Sequence, residues 1–443
     1  MTSPIGGRGG HQDTVPLRIP TELVRHEDTM ALRIPEQWRR EAAPEPAPEP
    51  EPEEGAAPRP RKGGRDRYLD LLRALALVRV VLYHNFTWSW LPVVFPSMGV
   101  MFALAGSLMA RSLSRPALGV IRGRLRRLLP PMWLFGIVMI ALQVLDGGGP
   151  HSDGHPTWWW AKLGFWLLPL STPPYAEELG GFQHHAEHTW AAQVIVPLWY
   201  LRAYLWYVLL TPLMLRALRR FPVLTLCSPL AMVIVMNAFF ADQDFVYSRV
   251  WETAGDFATF GACWILGLAH QEGLLKRIPQ YVLPSIAPLI MVAGFWYLQT
   301  RPVEPGEATD IESWPIAQAL WSFGFVALLL HISPSWEQWP RPLERWNGLV
   351  SLLNSRAVSV YLWHQLALVA SVPLIDQLWG VDLFATDLKW LLTSQWFMLA
   401  VAVPLIALLV LVFGWVEDVA AKRPPRLFPY PRRPRGKRRG AAV

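Results

Sequence analysis

The hydrophobic positions of this chain gather into ten apolar runs with short polar breaks, behind an N-terminal stretch that has no apolar periodicity. The runs cover approximately residues 69–90, 95–112, 128–145, 195–215, 222–240, 251–269, 280–299, 315–332, 357–376 and 392–414. A membrane-spanning helix needs about 20 predominantly apolar residues. The pattern therefore predicts an all-α, polytopic membrane helix bundle of about ten transmembrane helices. A further apolar stretch, Trp158 to Leu170, is too short to span. Its run of tryptophans suits an interfacial or re-entrant helix roofing the bundle.

Residues 1–67 read as a disordered segment that passes from an acidic, proline-rich run into a basic one. It contains a short duplication, HQDTVPLRIP at 11–20 and HEDTMALRIP at 26–35. The repeat is too short and too polar to form a solenoid unit, which leaves a duplicated linear motif or a duplication without function. In the motif reading, Thr14 and Thr29 are phosphorylation or docking sites for a cytoplasmic partner or kinase. Residues 68–418 then form the transmembrane domain and 419–443 a basic tail.

Composition supports the membrane reading: 443 residues with 52% hydrophobic content and 24 Trp, and a positive mean hydropathy despite the polar ends. The first apolar run starts only near Tyr68, which is unlike a secretory signal. Cys227 and Cys263 are the only cysteines and both fall in apolar runs, so neither a disulfide framework nor a cysteine metal site is expected.

The net charge of +7 matters by location. Basic clusters precede run one, separate runs two and three, four and five, six and seven, and eight and nine, and follow run ten. All fall on one side if both termini are cytoplasmic. The alternate breaks carry Asp146, Asp153, Glu177, Glu178, Glu187, Asp242, Asp244, Glu304, Glu307 and Asp310 instead. A basic tail beside a membrane suits anionic lipid, so no nucleic-acid partner is expected.

Run one is the exception to clean apolar patterning. YLDLLRALALVRVVLYHNFTWSW carries Asp70, Arg73, Arg79 and His84, and ionisable groups inside a span are functional suspects. Arg73 and His84 are eleven residues apart, three helical turns plus about 20°, so they share one face about 16 Å apart along the axis. Arg79 lies on another face and needs an acidic or carbonyl partner, with Glu252 and Asp256 as candidates. Arg202 has no evident partner in the sequence.

LDLLRALALVRVVLYH resembles the first helix of the membrane-integral acyltransferase family three, whose signature is an arginine, ten residues and a histidine: here Arg73 and His84. GVMFALAGSLMARSL, RLRRLLPPMW, PLWYLRAYLWYVLLTPLM and SRAVSVYLWHQLAL resemble four further segments of that family in the same order. Two departures stand out: Leu71 replaces a common glycine, and Arg202 and Tyr204 stand where many members carry a glutamate.

The resemblance implies acyl transfer from acyl-CoA, most simply acetyl-CoA, to a hydroxyl on a cell-envelope glycan or related acceptor at a bacterial plasma membrane. Such a reaction needs a base at the acceptor proton, which His84 suits, and a stabiliser for the developing oxyanion. Arg73 would position the donor, and Arg122, Arg124, Arg126 and Arg127 would clamp the coenzyme A phosphates. Positive-inside topology alone also predicts that arginine cluster. Asp70, Ser359, Tyr361 and His364 are expected in support. His184, Glu187 and His188 match an inverted zinc-peptidase spacing, but no third ligand is identifiable and no metal is expected. Two other readings remain: a transporter using Arg73, Arg79 and His84 as a relay, and a haem-binding bundle using His84, His331 and His364. No internal repeat of the spans supports the transporter.

Overall fold

The computed structural model describes residues 66–146, 156–173, 190–240, 249–302, 309–334 and 336–427. The duplicated motif, the histidines at 184–188 and most of the basic tail lie outside these residues. Every regular element among the described residues is helical.

Among the described residues, ten long helices carry the architecture. They are α1 (Arg67–Phe86), α2 (Ser97–Ser112), α3 (Ala117–Leu145), α4 (Leu198–Arg220), α5 (Pro222–Phe239), α6 (Arg249–Gln271), α7 (Val282–Gln299), α8 (Pro315–Ile332), α9 (Ala357–Asp376) and α10 (Gln395–Phe413). Eight of them, some extended by an abutting short helix, are long and apolar enough to cross a membrane. The chain is a multi-pass membrane protein. The other two, α1 and α6, are 20 and 23 residues long. They are more polar because they carry Asp70, Arg73 and Arg79, and Glu252 and Asp256. The expected segment at Trp158 to Leu170 forms two short helices, Pro156–Lys162 and Gly164–Leu167. It packs on α3, where Trp166 is buried and Gly136 leaves room for the Trp166 backbone.

Burial sorts the helices into an inner and an outer set. Most of α2 and α9 and about half of α4 is buried, whereas α5, α7 and α10 bury only a few residues each. In a bilayer, helices apolar all round face lipid, and polar groups turn inward. The tightest inner contact is between α2 and α6, built on small residues. A Cβ added at Gly106 would run into the backbone carbonyl of Trp264, and one at Gly267 into that of Ala103. Small residues let two backbones approach where no hydrophobic effect drives helices together.

Buried charge is paired. Arg79 donates to Glu312 at 2.8 Å and lies 4.7 Å over the Tyr83 ring, while Tyr83 donates to Asp310 at 2.6 Å. Asp310 and Glu312 belong to a short segment before α8, not to α6, so Glu252 and Asp256 are not the partners of Arg79. Those two carboxylates hold Arg202 instead, Glu252 at 3.0 Å. Arg356, almost fully buried, pairs with Asp418 at 2.7 Å and with the carbonyl of Arg426.

The α2–α6 contact gives a direct test. Gly267→Ala should lower the melting temperature of the purified protein, an overpacking penalty of about 1–3 kcal/mol. Gly119→Ala, whose Cβ would meet nothing within 4 Å, should be neutral or slightly stabilising. Equal melting of both variants would contradict the close backbone contact.

Candidate functional site

The arginines expected to hold a donor converge at the N-terminal end of α3. Arg122, Arg124, Arg126 and Arg127 line a groove of about 870 Å³ together with Arg115 and Lys422. None of these six cations makes a salt bridge among the described residues. Arg124 donates only to neutral oxygens, the Leu108 carbonyl at 3.2 Å and the Ser112 hydroxyl at 3.3 Å. A concentration of unneutralised arginines with planar, forked donors suits a polyanion such as a set of phosphates.

A second cavity, about 420 Å³, shares Arg124 and Arg127 with that groove and runs into the bundle. Arg73, Tyr200, Tyr204, Tyr361 and Glu417 are on its wall, with apolar side chains such as Met101, Ala105 and Leu128 between them. A charged mouth leading to a mixed apolar chamber fits a slim molecule with a phosphate head. At Tyr204 the wall offers a phenol.

Beyond this chamber lies a histidine pair that the sequence spacing does not reveal. His84, in the last turn of α1, and His364, on α9, have ring centroids 5.2 Å apart. His364 is fully buried, and its Nδ1 is 2.7 Å from the Tyr361 carbonyl. Only a donor satisfies a carbonyl, so the proton sits on Nδ1 and Nε2 keeps its lone pair. That Nε2 has no hydrogen-bond partner among the described residues. Tyr361 packs against both Tyr200 and His364, with ring centroids at 5.1 and 5.8 Å. It links the chamber wall to the histidine pair.

The other expected residues have more local roles. Asp70 is buried and sits 4.0 Å from Arg67, and its backbone carbonyl accepts from Asn354 at 2.8 Å. Ser359 is buried and donates its backbone N–H to Glu417. His331 lies in the last turn of α8. No group of three or more His, Cys, Asp or Glu able to hold a metal occurs among the described residues.

With this geometry in place, the family comparison decides the class. The family model described as an acyltransferase domain matches residues 66–416. The chain belongs to acyltransferase family 3. No curated protein and no solved structure matches it. The matched region contains the whole arginine groove except Lys422, together with the chamber apart from Glu417 and both histidines.

Glu417 is the residue that sequence reasoning missed in this acyltransferase. It follows the last long helix, on the short helix Trp415–Ala420, and returns to the chamber wall. The only sequence signal was an acidic pair, Glu417–Asp418, in an otherwise apolar and basic end region. Burial pushes its carboxyl up to about 7, against the opposing pull of the Ser359 hydrogen bond and Arg356.

The consequence for stability has a definite sign. Between about pH 4.5 and 7 the folded state keeps a proton that the unfolded chain has released. This contribution is therefore complete below about 4.5 and is lost as pH rises to about 7. Glu417→Gln mimics the protonated form, so its stability relative to wild type should rise over that window, by on the order of 3 kcal/mol. Melting curves of both proteins at pH 5 and pH 8 check this; a constant gap would mean that Glu417 titrates normally.

Proposed function

We propose that this chain is a plasma-membrane O-acyltransferase of a bacterial envelope. It moves an acyl group, most simply acetyl, from cytoplasmic acyl-CoA to a hydroxyl of an envelope glycan or related acceptor. The observation that carries the reading is the continuous path from the unpaired arginine groove, past Arg124 and Arg127, into the chamber lined by Arg73 and Tyr361. A coenzyme A donor has the matching shape, a polyphosphate head on a long thin arm. Positive-inside charge accounts for basic residues at this end of the bundle. It does not call for their convergence on a cavity whose wall includes Arg73 and Tyr361, the latter packed against His364.

In this reading the arginine groove holds the phosphates and Arg73 orients the acyl end. His84 accepts the proton of the acceptor hydroxyl as its oxygen bonds to the acyl carbon. His364, locked by the Tyr361 carbonyl, presents a second lone pair beside it. When the carbon–sulfur bond breaks, the leaving thiolate takes the proton back from the imidazolium, so the exchange balances as one ester formed and one thiol released. A histidine suits both halves because its ordinary pKa lies near neutrality.

Two sets of substitutions separate binding from chemistry. Arg124→Ala with Arg127→Ala should raise the KM for acetyl-CoA by at least about tenfold, since each charge-assisted hydrogen bond contributes about 1.5–3 kcal/mol. His84→Ala should lower kcat by about 10²–10⁴ while acetyl-CoA still binds. Thiol release and calorimetric binding by the purified protein measure both. Wild-type kinetics in either variant would remove that residue set from the proposed machinery.

A further inference from the structure

One wall of the arginine groove comes from the chain after α10, where Lys422 lines it, outside the residues 66–416 matched by the family model. That segment is folded back and pinned. At Gly414 a Cβ would stand 3.1 Å from Arg356 Cδ and 3.2 Å from its Nε, so the glycine leaves a passage for the Arg356 side chain. Arg356 passes through to Asp418, whose Oδ2 accepts from the guanidinium at 2.7 Å and from the Arg426 N–H at 3.1 Å. The same guanidinium donates to the Arg426 carbonyl. The short helix Trp415–Ala420 packs on α3, the helix that carries most of the groove arginines.

This short helix closes in a Schellman motif. The Arg423 N–H donates to the Asp418 carbonyl at 2.7 Å, and the Lys422 N–H to the Val419 carbonyl at 2.9 Å. The motif forces the residue after the cap into the left-handed region, and that residue is Lys422, at φ 57°. Glycine is the usual occupant, because a side chain there brings its Cβ against the following carbonyl. Among the described residues only Thr87 shares a positive φ without being glycine, so the fold accepts this strain at very few places. A lysine kept in a glycine position points to a use for its ammonium. The helix dipole supplies little reason for it, since the helix is six residues long. Lys422 is exposed and makes no salt bridge among the described residues.

Its place along the donor path narrows that use. Arg124 and Arg127 line both the groove and the chamber, whereas Lys422, like Arg115, Arg122 and Arg126, lines the groove alone. The connectivity of an acyl-coenzyme A decides what meets each set. With the acyl end and thin arm in the chamber, the diphosphate that follows the arm falls at the shared Arg124 and Arg127. The ribose and its 3′-phosphate come next and fall in the outer groove. Arg127 already feels the repulsion of Arg124, Arg126 and Arg115 and, from the pinned segment, of Arg423, so the groove as a whole is short of anions. A phosphate monoester carries about two negative charges at neutral pH, and a compact ammonium can meet its oxygens from any side.

We propose that Lys422 is a donor-specificity residue that reads the ribose 3′-phosphate, so that the protein prefers coenzyme A over dephospho-coenzyme A. The proposal rests on the acyl-transfer reading above. It adds which phosphate is recognised and a residue, outside the matched domain, that recognises it.

The test uses the full-length protein in nanodiscs of zwitterionic lipid. Coenzyme A and dephospho-coenzyme A are titrated by calorimetry, and their acetyl thioesters are compared by thiol release. The wild type should bind coenzyme A the more tightly. Lys422→Gly should weaken coenzyme A by about fivefold and dephospho-coenzyme A by less than twofold, the contribution of one exposed charge-assisted contact. Its melting temperature should stay the same or rise, because glycine suits the turn. Lys422→Arg keeps the charge and should keep the preference. Arg124→Ala with Arg127→Ala should weaken both ligands alike, since the diphosphate is common to them. Equal affinities in the wild type, or a wild-type preference in Lys422→Gly, would overturn the assignment. So would a melting gain of the wild type in phosphatidylglycerol nanodiscs that Lys422→Gly abolishes while the preference stays, which would give the lysine to lipid headgroups. Binding with the expected preference but no thiol release would uphold the phosphate subsite and refute acyl transfer. Binding of neither ligand would refute both.

Discussion

A charge inside an apolar helix bundle must be paired or must face a cavity, because an isolated ion away from water costs several kcal/mol. This constraint sorts the arginines of the molecule. Arg79, Arg202 and Arg356 are buried, and each is held by a carboxylate from a distant part of the chain. Their partners come from the segment before α8, from α6 and from the end region, so the three pairs fasten helices that share little sequence proximity. Arg73 and the groove arginines have no such partner among the described residues, and they line cavities instead. Paired cations hold the bundle together, and the others line open cavities.

The inner helices then have to approach closely enough to enclose those cavities. Glycines on α2 and α6 permit it, and the Tyr200–Tyr361 ring contact shows how large side chains fill the remaining space. The result is a chamber at the arginine-rich end whose wall residue Tyr361 packs against His364, which in turn neighbours His84.

Much of this was legible in the sequence because it follows from periodicity. The long apolar runs gave the helices, and the eleven-residue spacing put Arg73 and His84 on one face of α1. What the sequence could not yield was tertiary pairing. Arg79 meets Glu312, 233 residues away, whereas the acidic residues that looked available on α6 are taken by Arg202. His364 could be placed on a polar stripe of α9, but not beside His84. Glu417 lies past the last run, where no periodic pattern points back into the bundle. Each of these depends on how helices from separate parts of the chain pack, which hydrophobic patterning does not encode.

The central claim is that donor and acceptor enter from opposite ends and meet at the histidine pair. Proteoliposomes of known protein orientation test it most directly, with carbonyl-labelled acetyl-CoA supplied only on the arginine-groove side and a saccharide acceptor only on the other. The account predicts labelled ester on the acceptor side and free thiol on the donor side, with no product when the two compartments are exchanged. Product formed only when both substrates share one compartment would contradict it.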